Sequence, residues 1–188
     1  MERRTEGLKR IYSKVSAESA EDLIFRNHAL FELGQLYLEK CDFPNATECF
    51  EKVKTEALQF HLYDNYFRSI ASLLRIHAER LDFEKHGSLM REVLQVGGSL
   101  TGYRRYLPKL HYNQGIAAVY RKDNEEAKVH FLEAKKLLED LLGDSAIQGR
   151  EREEVRRDYL LARFSLAAYE RDSKNYAEAI RHCDLLLK

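Results

Sequence analysis

The side chains best suited to chemistry in this sequence are its seven histidines and three cysteines. They are His28, His61, His77, His86, His111, His130 and His182, with Cys41, Cys49 and Cys183. Their spacing matches no metal-site motif, since the chain has no HExxH, no Glu-x-x-His and no CxxC. Three cysteines are an odd number for a disulfide framework and are typical of reduced thiols. The sequence therefore predicts no bound metal.

Catalytic and cofactor-binding motifs are also missing from the sequence. Gly97-Gly98 lacks the Lys-Ser/Thr of a phosphate-binding loop, and no Gly-x-Ser-x-Gly turn occurs. His182 and Cys183 are adjacent, but neighbours on a helix diverge by about 100° and do not face each other. We expect Cys183 to pack between helices and His182 to lie on the surface. The sequence therefore predicts a protein that is not an enzyme and needs no cofactor.

One segment, residues 101–113, mixes basic and aromatic side chains in a way that suits RNA. It contains Arg104, Arg105 and Lys109 among Tyr103, Tyr106 and Tyr112. The alternative is that the tyrosines pack against neighbouring helices while the cations stay in solvent. Lys+Arg and Asp+Glu both number 31, so the chain has none of the basic excess that nucleic-acid binders usually show. The packing interpretation is therefore favoured, and nucleic acid is not the expected partner.

The elements that carry these residues are all predicted to be helices. Apolar residues recur at helical spacing, no long run alternates with a period of two, and the chain has only two prolines. Asp42 and Asp123 stand where N-caps are expected. Short breaks are predicted at 17–18, 42–44, 60–62, 81–83, 97–101, 122–124, 143–145 and 173–175. The fold class is therefore all-α, with about eight or nine helices.

The composition also bears on location. Hydrophobic residues make up 44% and charged residues 33%, a mixture that can form a core under a solvated surface. No apolar stretch approaches the roughly 20 residues of a membrane span. The first residues, MERRTE, lack the apolar core of a signal peptide. We therefore expect a cytoplasmic or nuclear protein that does not enter a membrane.

A repeated pattern lies in the segment Ala29–Val53. Gly34 leaves room for a partner helix to approach, and Ala46 is the small residue expected opposite it. Phe50 and Tyr37 are expected to fill the space beside that contact. This arrangement resembles the tetratricopeptide repeat, with its Leu-Gly…Tyr first helix and its Ala…Phe…Ala second helix. A second copy runs from His111 to Ala134.

The resemblance implies a single domain over residues 1–188 with repeats at 19–58, 60–97, 100–143 and 146–188. The residues expected at the helix crossings are Ala46, His86, Ala127 and Ala179. Their intervals are 40, 41 and 52 residues, against about 34 in the usual repeat. The longest interval predicts an insertion around 144–157. The expected architecture is a right-handed superhelix of antiparallel helix pairs, and the alternative is a plain helical bundle.

The resemblance also implies which residues contact a partner, because the first helix of each repeat lines the concave face of such a superhelix. The implied positions are His28, Phe31, Gln35 and Leu38; Arg68, Ala71 and Arg75; Lys109, Tyr112, Asn113, Ile116 and Tyr120; and Phe164 and Arg171. Aromatic and basic side chains together suit a protein or peptide with apolar anchors and acidic flanks. Phe31 and Gln35 replace the Lys and Asn of chaperone-type repeats, which argues against chaperone docking.

Three functions remain open from the sequence. The first is a scaffold or adaptor that binds a partner on its concave face. The second is a structural arm of a large complex, because repeats of about 40 residues resemble those of proteasome-lid and signalosome-type scaffold subunits. The third is RNA binding. The final Leu185-Leu186-Leu187 predicts an apolar C-terminal face, as in a fragment of a longer solenoid or a contact with a partner or another copy.

Overall fold

The structure is a computed structural model that describes residues 2–15, 19–100 and 102–184. Within these ranges all regular structure is helical, and consecutive helices pack against each other. The helices are α1 Glu2–Lys14, α2 Ala20–Glu39, α3 Phe43–Gln59, α4 Tyr63–Glu79, α5 Phe83–Gly97, α6 Tyr103–Tyr120, α7 Asn124–Gly143, α8 Gly149–Asp172 and α9 Tyr176–Asp184. The all-α prediction is confirmed for this part of the chain.

Each break between helices overlaps the range predicted for it, although most bounds differ by one to three residues, and the break at 17–18 lies outside the described residues. Asp42 and Asp123 are confirmed as N-caps, since their carboxylates accept the backbone N–H of Asn45 and Glu126. The predicted insertion is a short connection, residues 144–148, followed by the 24-residue helix α8. The extra residues of the 52-residue interval therefore lie in this connection and in α8, which is longer than the other first helices.

The same turn follows α2, α3, α4, α6 and α8. Each turn contains one residue with a positive φ between 56° and 64°, and none of the five is glycine. They are Cys41, His61, Leu81, Lys122 and Lys174. After α2, the N–H of Asp42 donates to the carbonyl of Tyr37 and that of Cys41 to Leu38, which is a Schellman helix end. A single kind of turn thus links helices both within repeats and between them.

The chain divides into two compact units. Unit 1 comprises Met1–Arg80 and Glu84–Tyr103, and unit 2 comprises Leu81–Phe83 and Arg104–Lys188. In unit 1 the core is centred on α4, which has ten buried residues, among them Tyr66, Phe67 and Ile70. In unit 2 the core lies between α7 and its neighbours α6 and α8, around Phe131 and Leu138.

The predicted close approach of paired helices is confirmed at both glycines. A Cβ atom on Gly34 would lie 2.8 Å from Cε1 of Phe50, so α3 packs directly on the α2 backbone. A Cβ atom on Gly115 would lie 2.5 Å from Cε1 of Phe131, which gives the same contact between α6 and α7. Both rings are buried. Each unit therefore contains one antiparallel helix pair built around a glycine and a phenylalanine.

Candidate partner-binding surfaces

In unit 1, the first helices α2 and α4 run parallel and are joined by a ladder of side chains. Asn65 Nδ2 donates to Asn27 Oδ1 at 2.7 Å, and Gln35 Nε2 donates to Ser72 Oγ at 3.0 Å. Between these bonds, the Arg68 guanidinium lies 4.3 Å from the centre of the Phe31 ring. The residue numbers of these contacts increase together along α2 and α4. The two helices are therefore parallel and present one common face.

The predicted residues of unit 1 occupy that face at different depths. Phe31 is only 4% exposed and packs 5.4 Å from the ring of Phe50, so its ring cannot meet a partner directly. The Arg68 guanidinium stacks on the Phe31 ring, so Phe31 contributes to the surface only by supporting Arg68. Arg75 is exposed and forms an ion pair with Glu79 at 2.7 Å. Of the other predicted residues, His28 is exposed, Gln35 and Leu38 are half-buried, and Ala71 is buried.

In unit 2, α6 and α8 repeat the parallel arrangement. Arg105 Nε lies 2.9 Å from Glu151 Oε1, and Lys109 Nζ lies 3.9 Å from Asp158 Oδ2. Farther along both helices, Ser165 Oγ donates to the Tyr112 hydroxyl at 3.4 Å. This ladder is more strongly charged than the one in unit 1, and it uses two of the basic side chains from the segment 101–113.

The predicted residues of α6 again differ in exposure. Lys109 and Tyr120 are exposed, whereas Tyr112 and Ile116 are half-buried and pack against the core around Phe131. Asn113 is buried, and its Nδ2 donates to the backbone carbonyl of Lys109 at 3.0 Å, so its amide is engaged within α6.

The predicted residues of α8, Phe164 and Arg171, both lie on the surface. Phe164 is 63% exposed, and Arg171 is exposed and paired with Asp172 at 2.8 Å. They are seven residues apart, which places them on one face of the helix. Unit 1 therefore brings Phe31 and Gln35 of α2 against α4, whereas in unit 2 it is Lys109 and Tyr112 of α6 that contact α8.

The tyrosines of segment 101–113 are all at least partly buried. Tyr106 is buried, Tyr103 and Tyr112 are half-buried, and burial raises the pKa of Tyr103. Arg105 and Lys109 contact carboxylates of α8. The arrangement is the packed one that the charge balance favours.

A pair of histidines on α6 and α7 was not singled out by the sequence. The Nδ1 atoms of His111 and His130 lie 3.2 Å apart, so one ring donates and the other accepts. Burial lowers the pKa of both imidazoles. The neighbouring His130 lowers the pKa of His111 further, whereas Glu126 opposes the shift of His130. Because the two residues are on different helices, no local motif indicates their meeting.

A buried arginine fastens the last described helix. Arg163 is 2% exposed, and its Nη2 donates to the carbonyls of Arg181 and His182 at 2.8 Å and 2.7 Å. Both carbonyls belong to α9. The prediction for the adjacent pair is wrong: Cys183 is exposed and His182 is half-buried, because α9 docks with its carbonyls, not its thiol, toward α8.

Two general findings concern the described residues alone. They contain no group of three or more His, Cys, Asp or Glu side chains placed to hold a metal ion. None of their helices combines the length and the apolar character of a transmembrane span.

Comparison with known proteins adds no relative. No protein-family model, no curated protein and no solved structure matches the chain. Conclusions about function therefore follow from the contacts and exposures described above.

Proposed function

We propose that this protein is an interaction scaffold of the tetratricopeptide-like kind, which binds a peptide or a partner subunit on the faces of its first helices. The observation that carries the proposal is the parallel pairing of first helices in each unit, α2 with α4 and α6 with α8. Such pairs form continuous surfaces wide enough for an extended or helical segment. In the proposed architecture, the helix pairs stack as a right-handed superhelix.

The chemistry of these faces supports a partner with apolar anchors and acidic flanks. In unit 1, the exposed Arg75 and the half-buried Arg68 lie on α4, and the half-buried Leu38 lies on the parallel helix α2. In unit 2, Lys109 lies on the same helix face as the half-buried Ile116. A carboxylate on the partner would meet these cations, while an apolar side chain would cover the aliphatic residues.

We further propose that the protein acts in the cytoplasm or the nucleus, without catalysis and without a cofactor. All three cysteines are free, and Cys41 and Cys183 are exposed. Exposed free thiols are typical of proteins from reducing compartments.

A charge reversal with a matched control tests the proposal. Arg75→Glu is expected to abolish capture of the partner in affinity purification from cells that express the protein, while the helical circular dichroism stays unchanged. The control is Lys52→Glu on the second helix α3. Lys52 is also exposed and forms an i,i+4 ion pair, with Glu48, at the same 2.7 Å. Equal capture by wild type and Arg75→Glu would overturn the assignment of this face.

A second candidate function is fixed architecture within a larger complex, as in scaffold subunits whose repeats stack without an open groove. The specific observation in its favour is that second helices also expose apolar side chains, including Val129 on α7 and Tyr176 and Ile180 on α9. Under this alternative, Val129→Glu would disrupt assembly as strongly as Arg75→Glu disrupts capture, and the affinity purification would show loss of whole complexes in both variants.

A further inference from the structure

Three first helices carry an aromatic residue at the same distance from the turn that ends them. Each ring precedes the left-handed residue of its turn by ten positions. The pairs are Phe31 with Cys41, Tyr112 with Lys122, and Phe164 with Lys174. Because α2, α6 and α8 continue without interruption up to their turns, the three rings occupy equivalent places on their helices.

In α2 and α6, a residue of the next parallel first helix contacts this aromatic position. Arg68 of α4 lies over the Phe31 ring at 4.3 Å, and Ser165 of α8 donates to the Tyr112 hydroxyl. In α8 the equivalent position is open, since Phe164 is 63% exposed. Leu161, which corresponds to Lys109 of α6 by the same count, is 46% exposed. An apolar surface therefore stands where the other first helices meet a parallel neighbour.

We propose that this face of α8 binds an acidic, amphipathic α-helix of a partner protein, lying parallel to α8. The face consists of Arg157, Leu161, Phe164, Ala168 and Arg171, hereafter the α8 face. This proposal rests on the proposed function and names the kind of segment that one of its surfaces accepts. A helix is the expected occupant because a parallel helix contacts the equivalent face of both α2 and α6.

The charges of the α8 face specify the partner further. Arg157 corresponds to Arg105 of α6, which is paired at 2.9 Å with Glu151 of the next first helix, α8. A carboxylate is therefore expected opposite Arg157, and a second one near Arg171, which is itself paired with Asp172. Between the two arginines the face is apolar. They are 14 residues apart, a distance of about 21 Å along the helix, so the occupant needs about four turns.

The same charges argue against a second copy of this chain as the occupant. In a two-fold dimer the same surface meets itself. Two α8 faces related in this way would run either antiparallel, with Arg157 of each beside Arg171 of the other, or parallel, with each arginine beside its own copy. Opposing like charges disfavour that contact. A partner of opposite charge is the better fit.

A designed peptide tests the proposal on the full chain. The probe is a fluorescent amphipathic helix of about 18 residues with leucines along one stripe and glutamates flanking it. We expect the wild type to bind it in a fluorescence anisotropy titration, and Phe164→Glu to weaken binding by at least about tenfold. A second probe with lysine in place of every glutamate is expected to bind at least about tenfold more weakly than the first.

Val129→Glu is the matched control, because Val129 is also 63% exposed and lies on α7 of the same unit. It is expected to bind the acidic probe like wild type. Three results would overturn the proposal: no binding of the acidic probe, equal loss in both variants, or self-association of the chain that Phe164→Glu abolishes. If the probe fails while Arg75→Glu still abolishes partner capture, the inference about α8 fails alone. If capture is insensitive to Arg75→Glu, the proposed function fails.

Discussion

At the scale of single residues, the two glycine–phenylalanine contacts set how closely the paired helices approach. Gly34 and Gly115 could be identified from the sequence because each precedes a second-helix phenylalanine by sixteen residues, Phe50 and Phe131. In both places the ring fills the volume that a side chain would take. The ring is held by the surrounding core and cannot move aside without disturbing it.

Adding a methyl group at either glycine is therefore expected to destabilise the fold. Gly34→Ala and Gly115→Ala should each lower the free energy of unfolding by about 1–3 kcal/mol, because the new Cβ would overlap a buried ring. Urea denaturation followed by circular dichroism measures the change. Gly7→Ala is the control, since Gly7 lies within α1 and a Cβ there meets nothing within 4 Å. It should raise stability by up to about 1 kcal/mol. Unchanged stability in the first two variants would contradict the close approach.

The burial of Phe31, the hydrogen bond of the Asn113 amide and the contact between His111 and His130 could not be predicted from the sequence. The spacing of Phe31 places it on the first-helix face, but its burial depends on Arg68, which comes from another helix and stacks on the ring. Asn113 fits the same pattern, yet its amide donates to the backbone carbonyl of Lys109 on the same helix. His111 and His130 meet only because α6 and α7 pack together. Each of these facts depends on a tertiary contact that helical periodicity does not contain.

The histidine pair predicts how stability changes with pH. Burial lowers the pKa of His111 and His130 below the ordinary 6.5, so the unfolded chain binds protons more readily than the folded one. Stability is then fully present above that value and is lost as the pH falls below it. His111→Gln should reduce the loss between about pH 7.5 and about pH 5.5, as measured by urea denaturation at both values.

Charged side chains near the two histidines also change their pKa values. Glu133 raises the pKa of His111 and so opposes the effect of burial. For His130, Glu126 raises the pKa and Arg121 lowers it further. Tyr120→Phe on the same helix as His111 is the control. Between about pH 7.5 and about pH 5.5 it should lose as much stability as the wild type loses. A wild-type protein that becomes more stable toward pH 5.5 would contradict the account of the pair.

At the scale of elements, the turns are the most regular feature of the chain. The positions of the breaks follow from the sequence, since Asp42 and Asp123 are recognisable caps and Gly97-Gly98 interrupts the helical pattern. The left-handed residue in each turn does not follow, because glycine is the usual signal for that conformation and these turns use other residues, as at Leu81. The period of about 40 residues arises from helices of 15–20 residues joined by these short turns, apart from the longer α8.

Lys122 adopts a left-handed backbone conformation, and its strain can be measured by replacing it with glycine and comparing the result with a lysine-to-glycine change inside a helix. Lys122 has φ 64° and is exposed, so Lys122→Gly should raise the free energy of unfolding by about 0.5–1 kcal/mol through relief of that strain. Lys136 is exposed in the interior of α7, where glycine should lower stability by about the same amount. The comparison uses urea denaturation, and the same sign in both variants would contradict the conformation of the turn.

At the scale of the whole molecule, the two units share one construction. Each pairs a first helix with a second helix around a glycine and then places the next first helix parallel to the preceding one. The sequence indicates this construction through the two repeat copies at Ala29–Val53 and His111–Ala134. It does not indicate which first-helix residues stay exposed, because exposure depends on which neighbouring helix covers them. Leu38, Arg75 and Ile116 keep accessible surface, whereas Phe31 does not.

Site-specific photo-crosslinking in cells that express the protein shows whether the first-helix faces hold the partner. A benzophenone side chain would replace Leu38 or Ile116 on first helices, and Lys52 or Lys136 on the exposed faces of second helices. We expect crosslinked partner from the two first-helix positions and none from the two second-helix positions. Crosslinks that arise from Lys52 and Lys136 but not from Leu38 and Ile116 would contradict it.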